Sequence, residues 1–580
     1  MAASDPQSTT ADSTEQTAAA ASPNRDNAPP AKPRQAPPAH RATDASIKDT
    51  LESIVIALAI AFVFRAFVVE AFLIPTGSMA PTLLGQHLRV VDPETGYRFA
   101  IGVDPPTTML DHDNGLNRAQ TAVSPMTGRD ITLDKNTHAR PGDRILVLKY
   151  LYGIAEPRRW DVVVFKAPHD PQTNFIKRLV GLPNEAVALL DGNVYVRPLE
   201  GDTDYTAETQ DLDAGWRIAR KTDRPNIQRS VFAPVYDSWY APAPPVGNAT
   251  GPRVAADWSP PWRPDGPTAQ RWTVQGARHY RYVGDDPGSL RFDFEEHGYD
   301  RLDARYPYNQ FKTASNREPI EDIRLAVDLT PDRFGLSVEL TTTSRVVLDD
   351  EWQAARLAAS IDGGGRVQLL ATAPQAAANQ PPTVLAEAAT DPLPPGRITA
   401  LELWHVDHET VVWVNGRRVL THRDDVSLRR VIDGPPPALL PEVAIGIDGG
   451  PATLQRVVLE RDLYYAGEPR GEPARGAIKR RDRSPGYTGN PIAVGPNRFW
   501  CIGDNSPQSD DGRFWTYIDA TARQRFFDPE EFADGRSPVG LVPRDMMVGR
   551  AFFVYFPAPL ARRTDRPGLV PNLADMRFIR

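Results

Sequence analysis

Three short stretches of this chain hold residues whose types and order suit one kind of chemistry. Residues 72 to 84 read Phe-Leu-Ile-Pro-Thr-Gly-Ser-Met-Ala-Pro-Thr-Leu-Leu and place Ser78 on a tight turn directly after an apolar, helix-length segment. Residues 174 to 185 read Asn-Phe-Ile-Lys-Arg-Leu-Val-Gly-Leu-Pro-Asn-Glu, and residues 503 to 515 read Gly-Asp-Asn-Ser-Pro-Gln-Ser-Asp-Asp-Gly-Arg-Phe-Trp. A serine hydroxyl is a poor nucleophile until a neighbouring base takes its proton, and lysine is one recognised base for it. Lys177 is the proposed base. A lysine with the ordinary pKa of about 10.4 is protonated at neutral pH, so it must sit among apolar neighbours that penalise the ammonium form. Phe175, Ile176, Leu179 and Val180 can supply them. Arg178 cannot serve, because guanidinium stays charged. Singly, each feature has a plain structural reading: Ser78 as a turn residue, Lys177 as a solvated strand end, Asp504-Asn505 as an Asx turn. Independent turns and strand ends, however, have no reason to follow in this order behind an apolar segment.

With the strand Asp161-Val-Val-Val-Phe-Lys166, the three boxes resemble those of bacterial type I signal peptidases. The resemblance implies roles, residue by residue. Ser78 is the nucleophile and Lys177 the general base, with the Ser78 N–H and the Thr76 hydroxyl as oxyanion donors. Ser509 matches the serine that hydrogen-bonds the lysine, Asp511 and Arg513 match an ion pair under the site, and Asp504 and Asn505 belong to the same supporting loop. Phe72, Ile74, Met79, Leu83 and Ile176 match positions that line shallow apolar pockets for small side chains, and are equally plausible as ordinary core residues. The implied reaction is endoproteolysis of signal-peptide-bearing precursors after Ala-x-Ala-like sites through an acyl-enzyme, with no cofactor. Two positions depart from the pattern: Thr76 and Gly512 stand where relatives often carry serine. The first keeps its hydroxyl with a stiffer χ1; the second loses a supporting hydrogen bond. Family-like sequence covers roughly 72–91, 140–198 and 490–557.

The elements that must position these residues follow from composition. Residues 1–46 are rich in Ala, Pro, Ser, Thr and Gln with few large apolar side chains, which predicts a disordered tail. Residues 47–73 are expected to form one transmembrane helix around the apolar run Ser53 to Val69, interrupted by Arg65 and short of the roughly 20 residues of a comfortable span. A cleavable signal peptide is the alternative. Lys32, Arg34, Arg41 and Lys48 precede the run and favour a cytoplasmic N-terminus. The catalytic part then lies on the periplasmic, extracytoplasmic side of the inner membrane, in contact with lipid. The fold class is mainly β: a discontinuous catalytic domain, 74–198 and 486–580, with strands expected at Val162–Phe165, Ala186–Leu190, Val194–Val196 and Phe552–Phe556.

Two insertions interrupt it. In 92–135, Asp92-Pro-Glu-Thr-Gly96 and Ser124-Pro-Met-Thr-Gly128 look like the two knuckles of a zinc ribbon, with Asp, Ser and Thr where cysteines would hold the metal. The expectation is a hairpin that kept its turns and holds no zinc; coincidental turns are the alternative. The larger insertion, 199–485, alternates apolar and polar residues from Ile323 onward and carries Asn415-Gly416 between two β-runs, the pair favoured in a type I′ turn. Its order of motifs looks like a concanavalin-type jelly roll at about 225–468, read as an accessory unit that contacts substrate, cell-wall polymer or another glycan. His405 and His408, flanking Asp407, are expected to be solvated at a strand end.

A chain of 580 residues exceeds one core, and a net charge of −8 gives no footprint for nucleic acid. The single cysteine, Cys501, excludes an intramolecular disulfide framework and reads as a small buried strand residue. The competing function is a catalytically inactive, membrane-tethered binding scaffold, against which the retention of both Ser78 and Lys177 argues. A Ser-Lys self-cleaving regulator would need a DNA-binding unit, and none is visible.

Overall fold

The apolar run Val162-Val-Val-Phe165 and the stretch around Lys177 form neighbouring strands, Val162–Ala167 and Asp170–Gly181, paired antiparallel with Val163 opposite Lys177 and Val164 opposite Ile176. The computed structural model describes residues 44–103, 110, 115–135, 137–199, 212–213, 215–242, 258–276, 278–311, 318–376, 380–466, 490–532, 538–559 and 572–580. The expected tail falls almost wholly outside these residues, as does the expected end of the large insertion at 485.

The sheet that holds both strands runs in the order Val69–Leu73, Arg144–Leu148, Met547–Phe556, Val162–Ala167, Asp170–Gly181, Arg498–Ile502, Leu541–Pro543, with Arg577–Phe578 added against Met547–Phe556. The period of two divides its side chains between two cores. Val162 and Val164 pack with Ile74, Met79, Leu83, Ile145 and Val554, while Val163 and Phe165 pack with Leu179, Phe499, Cys501 and Val542. A second sheet, Arg217–Ile218, Asn193–Pro198, Glu185–Leu190 and Ile492–Val494, continues from it. Both sheets join strands that precede the large insertion to strands that follow it.

The N-terminal helix spans Asp44–Phe67. The expected helix 47–73 is thus too long at its end: Val69–Leu73 is a strand whose residues pair with Arg144–Leu148, Val69 opposite Leu148 and Leu73 opposite Arg144. The sheet ladder satisfies backbone groups that a continued helix would have bonded internally. Leu51, Ile54, Val55, Leu58, Ile60 and Phe62 are exposed, yet among the described residues no helix is long and apolar enough to cross a membrane.

In the smaller insertion the two Pro-Thr-Gly turns have the same geometry and face each other. Gly96 donates to the Asp92 carbonyl and Gly128 to the Ser124 carbonyl, each at 2.9 Å, with φ of 73° and 69° at the glycines. The Ser124 hydroxyl donates to the Asp92 carboxylate, so these side chains hold the knuckles together directly.

The large insertion builds two antiparallel sheets. One runs Trp272–Gln275, His279–Tyr282, Ala452–Arg461, Ile323–Pro331, Thr399–Val406, Glu409–Val414, Arg417–Arg423, with Ala233–Asp237 added; the other runs Trp262–Asp265, Gly288–Phe292, Val443–Asp448, Ser337–Leu348, Glu351–Ile361, Arg366–Thr372, Thr383–Ala389. Their inner faces share one core that includes Leu325, Val327, Leu340, Leu403, Val412 and Ile445. Asn415 and Gly416 take φ of 50° and 74°, as a type I′ turn requires. A second turn of this kind, at Asp407 and His408 with φ of 49° and 53°, overturns the expectation of solvated histidines. His405 and His408 are fully buried, because the turn packs against the strand Asn193–Pro198: Tyr195 Oη lies 3.4 Å from His408 Nε2. Burial holds both imidazoles below their ordinary pKa.

Candidate functional site

The turn after Val69–Leu73 carries Ser78, with Ala80 donating to the Gly77 carbonyl at 3.0 Å and Leu83 to the Met79 carbonyl at 2.9 Å. Met79 and Leu83, fully buried in the core beneath, anchor this turn. Lys177, from Asp170–Gly181, is buried and reaches it: its Nζ lies 2.8 Å from Ser78 Oγ. Burial pulls the lysine down to about 8 against the opposing pull of Asp511 and Asp510. The aromatic face of Phe175 lies 5.2 Å from Nζ. A lysine so tuned is in its neutral, proton-accepting form in about a tenth of molecules at pH 7, far more than an ordinary lysine.

The third box wraps this pair from the strand Arg498–Ile502. Arg513 grips Asp511 with Nε to Oδ1 at 2.8 Å and Nη2 to Oδ2 at 2.7 Å. Burial opposes the charge on Asp511, but this guanidinium holds its carboxyl below the usual range. Asp511 Oδ2 also accepts from the Gly503 N–H at 2.9 Å. Asp504 is paired with Arg178, Nε to Oδ1 and Nη2 to Oδ2 both at 2.7 Å, with both side chains fully buried. Arg178 is therefore a buried clamp between the second and third boxes. Asn505 donates to the Gly77 carbonyl at 2.9 Å through its side chain and to the Ser78 carbonyl at 3.1 Å through its backbone.

Two residues of the third box pack tightly beside the pair. Ser509 Oγ is buried beside the site and, among the described residues, acts on Asp511, whose carboxyl it helps hold down, rather than on Lys177. The tight packing at Gly503, where a Cβ would lie 2.2 Å from Ser509 Oγ and 2.4 Å from the Ser78 carbonyl, shows how close it comes. Gly512 is required by space: a Cβ there would lie 2.4 Å from the Gly540 carbonyl and 2.9 Å from the Trp500 ring, so the serine of the pattern has no room. Thr76, two residues before Ser78, is exposed. No backbone acceptor among the described residues takes the Ser78 N–H, so that donor points to no internal partner. Phe72, Ile74, Met79, Leu83 and Ile176 come together in one apolar cluster; Ile74, Met79 and Leu83 are its buried floor, and Phe72 and Ile176 are half-buried above. Cys501 is buried within its strand, and burial pushes its thiol up, away from nucleophilic use.

Sequence reasoning missed what the insertion contributes. Tyr465 donates to Asp504 Oδ1 at 3.1 Å, Arg513 donates to the Ala466 carbonyl at 2.7 Å, and Asn309 exchanges amide hydrogen bonds with Asn505. It also missed a buried charge cluster. Asp322, Asp407 and Asp462 gather their carboxylates around the Lys221 ammonium, which lies 2.6 Å from Asp407 Oδ1 and 2.9 Å from Asp462 Oδ2. Lys221 stands where a cation would stand. Burial, then the neighbouring carboxylates, pushes Asp322 well above the usual carboxylate range. Only Asp407 and the flanking histidines carried a hint of this group in the sequence.

Residues 47–112 and 123–234 match the profile of the family described as signal peptidase, peptidase S26. The chain is 28% identical over 154 residues to a signal peptidase I of Rickettsia massiliae, covering 27% of this chain and 44% of that protein. To a signal peptidase I of Pseudomonas aeruginosa it is 34% identical over 131 residues, 22% of this chain and 30% of that one. The chain thus spans less than half the length of these relatives. The family resemblance is found again in both comparisons, the family profile spanning the first two boxes but not the third. Among solved structures, a carbohydrate-binding module of Bacillus subtilis is matched at 13% identity and a TM-score of 0.21, over 34% of this chain and 95% of that one. A galectin of Caenorhabditis elegans is matched at 16% identity and a TM-score of 0.16, over 24% of this chain and 83% of that one.

Proposed function

We propose that this chain, similar to type I signal peptidases, is a serine endopeptidase that removes signal peptides from exported precursors through a Ser78-Lys177 dyad. The observation that carries the proposal is the buried 2.8 Å contact between Lys177 Nζ and Ser78 Oγ with the lysine pulled down to about 8. In the neutral form Lys177 accepts the proton as Ser78 Oγ attacks the scissile carbonyl carbon. The tetrahedral oxyanion is met by the Ser78 N–H and the Thr76 hydroxyl. Lys177 then returns the proton to the leaving amine, which frees the mature protein and leaves the signal peptide as an ester on Ser78. A water, deprotonated by Lys177, opens the ester and restores the hydroxyl. The neutral lysine does the work of a metal or histidine relay, and no cofactor enters.

Small residues before the cut are read by the apolar cluster of Phe72, Ile74, Met79, Leu83 and Ile176. On this reading the exposed apolar side chains of Asp44–Phe67 rest against lipid, with catalysis on the extracytoplasmic side. The inserted sandwich is read as an accessory contact for precursor or wall glycan, checked by sedimenting the full chain with cell-wall polymer.

The test is cleavage of a purified precursor bearing an Ala-x-Ala site by wild type, Ser78→Ala and Lys177→Ala. Cutting after the small residue by wild type, and its loss by at least about a thousandfold in both folded variants, supports the dyad. An inert wild type, or a variant that cuts as fast, rejects it.

A further inference from the structure

We propose that Asn309, carried by the large insertion, is a positioning residue for the oxyanion site, acting through Asn505 on the Gly77-Ser78 peptide. This rests on the reading of Ser78 as nucleophile. Asn309 closes the short turn Pro307–Asn309, and its backbone N–H donates to the Tyr306 carbonyl at 2.9 Å. Its side chain and that of Asn505 form a reciprocal amide pair: Asn309 Nδ2 to Asn505 Oδ1 at 2.7 Å and Asn505 Nδ2 to Asn309 Oδ1 at 2.9 Å. Both side chains are buried. With one Nδ2 hydrogen and its Oδ1 held by Asn309, Asn505 presents its other Nδ2 hydrogen to the Gly77 carbonyl at 2.9 Å.

That carbonyl belongs to the same peptide unit as the Ser78 N–H. A trans peptide is planar, with C=O and N–H pointing opposite ways, so fixing the oxygen fixes the direction of the oxyanion donor. Accepting a hydrogen bond also polarises the unit and strengthens that donor. The neighbouring Tyr308 seats the turn on the same peptide. A Cβ at Gly77 or at Gly102 would lie 2.1 Å or 2.2 Å from the Tyr308 ring, so the ring fills the space two glycines leave, and its hydroxyl donates to the Gln86 carbonyl at 3.2 Å. The insertion thus reaches into the catalytic turn and completes it.

Asn309→Ala, Asn309→Asp, Asn505→Ala and the double alanine variant are assayed as full chains on the precursor, with thermal unfolding in parallel. Asn309→Ala is expected to lower kcat about tenfold, part of the 10²–10³ loss on removing an oxyanion donor outright. KM stays within about twofold and the pH midpoint set by Lys177 does not move, since the base is untouched. Asn309→Asp, which still accepts from Asn505 Nδ2, is expected to fall between. The double variant is expected to be no slower than Asn505→Ala, because both changes break one unit. An unchanged kcat, a loss that tracks a fall in melting temperature, a shifted pH midpoint, or additive losses in the cycle would overturn the role. If Ser78→Ala still cuts, the nucleophile reading itself fails and takes the role of Asn309 with it.

Discussion

On the proposed reading Lys177 is a base only because it is buried, and that makes the activity a function of pH. With the lysine pulled down to about 8 by burial, kcat/KM is expected to rise with pH through that value as the ammonium loses its proton, then level off. Asp510 is exposed and favours the ammonium form. Replacing it, Asp510→Asn, removes an anion that keeps the proton on, so the acid limb is expected to move to lower pH; an upward move would contradict this electrostatic account. The chemistry at this scale was legible in sequence because it is local. Ser78 stands within one box and Lys177 within another, and each box carries its own apolar neighbours. The partner of Asp504 was not legible, since Arg178 lies 326 residues away from it.

Turns are the elements that hold the site, and their glycines differ in what they permit. At Gly503 a side chain has no space between Ser509 and the Ser78 carbonyl. Gly503→Ala is expected to cost about 1–3 kcal/mol by overpacking and at least about tenfold in kcat by pushing Ser78. Gly416 faces open space but has φ of 74°. Gly416→Ala is expected to cost about 1 kcal/mol of strain, seen in thermal unfolding with peptidase activity unchanged at temperatures where the protein stays folded. The Asn-Gly hairpin and most catalytic strands could be read from their residues, because turn type and the period of two are local. The end of the first helix was misread because the apolar run does not stop at Phe67. What stops the helix is the ladder with Arg144–Leu148, a segment far along the chain. The Asp407-His408 turn was misread for the same reason: two polar residues suggest solvent until the strand Asn193–Pro198 covers them.

Across the whole molecule, the insertion and the catalytic unit share buried polar groups as well as apolar surface. Lys221 compensates a carboxylate cluster whose members come from three parts of the sandwich. Lys221→Met is expected to destabilise by about 3–5 kcal/mol, because it leaves carboxylates buried without their cation. Asp322 and Asp462 have folded-state pKa values raised by burial, so their contribution to stability is present at low pH and fades as pH rises above the ordinary carboxylate range. Asp322→Asn is expected to flatten that decline in a pH series of unfolding midpoints; an unchanged slope would contradict it.

From sequence alone came the proposed Ser-Lys pair, the boxes that carry it, the mainly β class and the expectation of a jelly-roll-like sandwich. These depend on residue type and short spacing, which a chain displays without folding. Tertiary structure alone decided that Asn309 meets Asn505 across 196 residues, that Gly512 has no room for a side chain, and that His405 and His408 are buried. Each of these depends on which distant segment arrives as a neighbour, and hydrogen bonds, burial and excluded volume between such segments exist only after the chain has closed on itself.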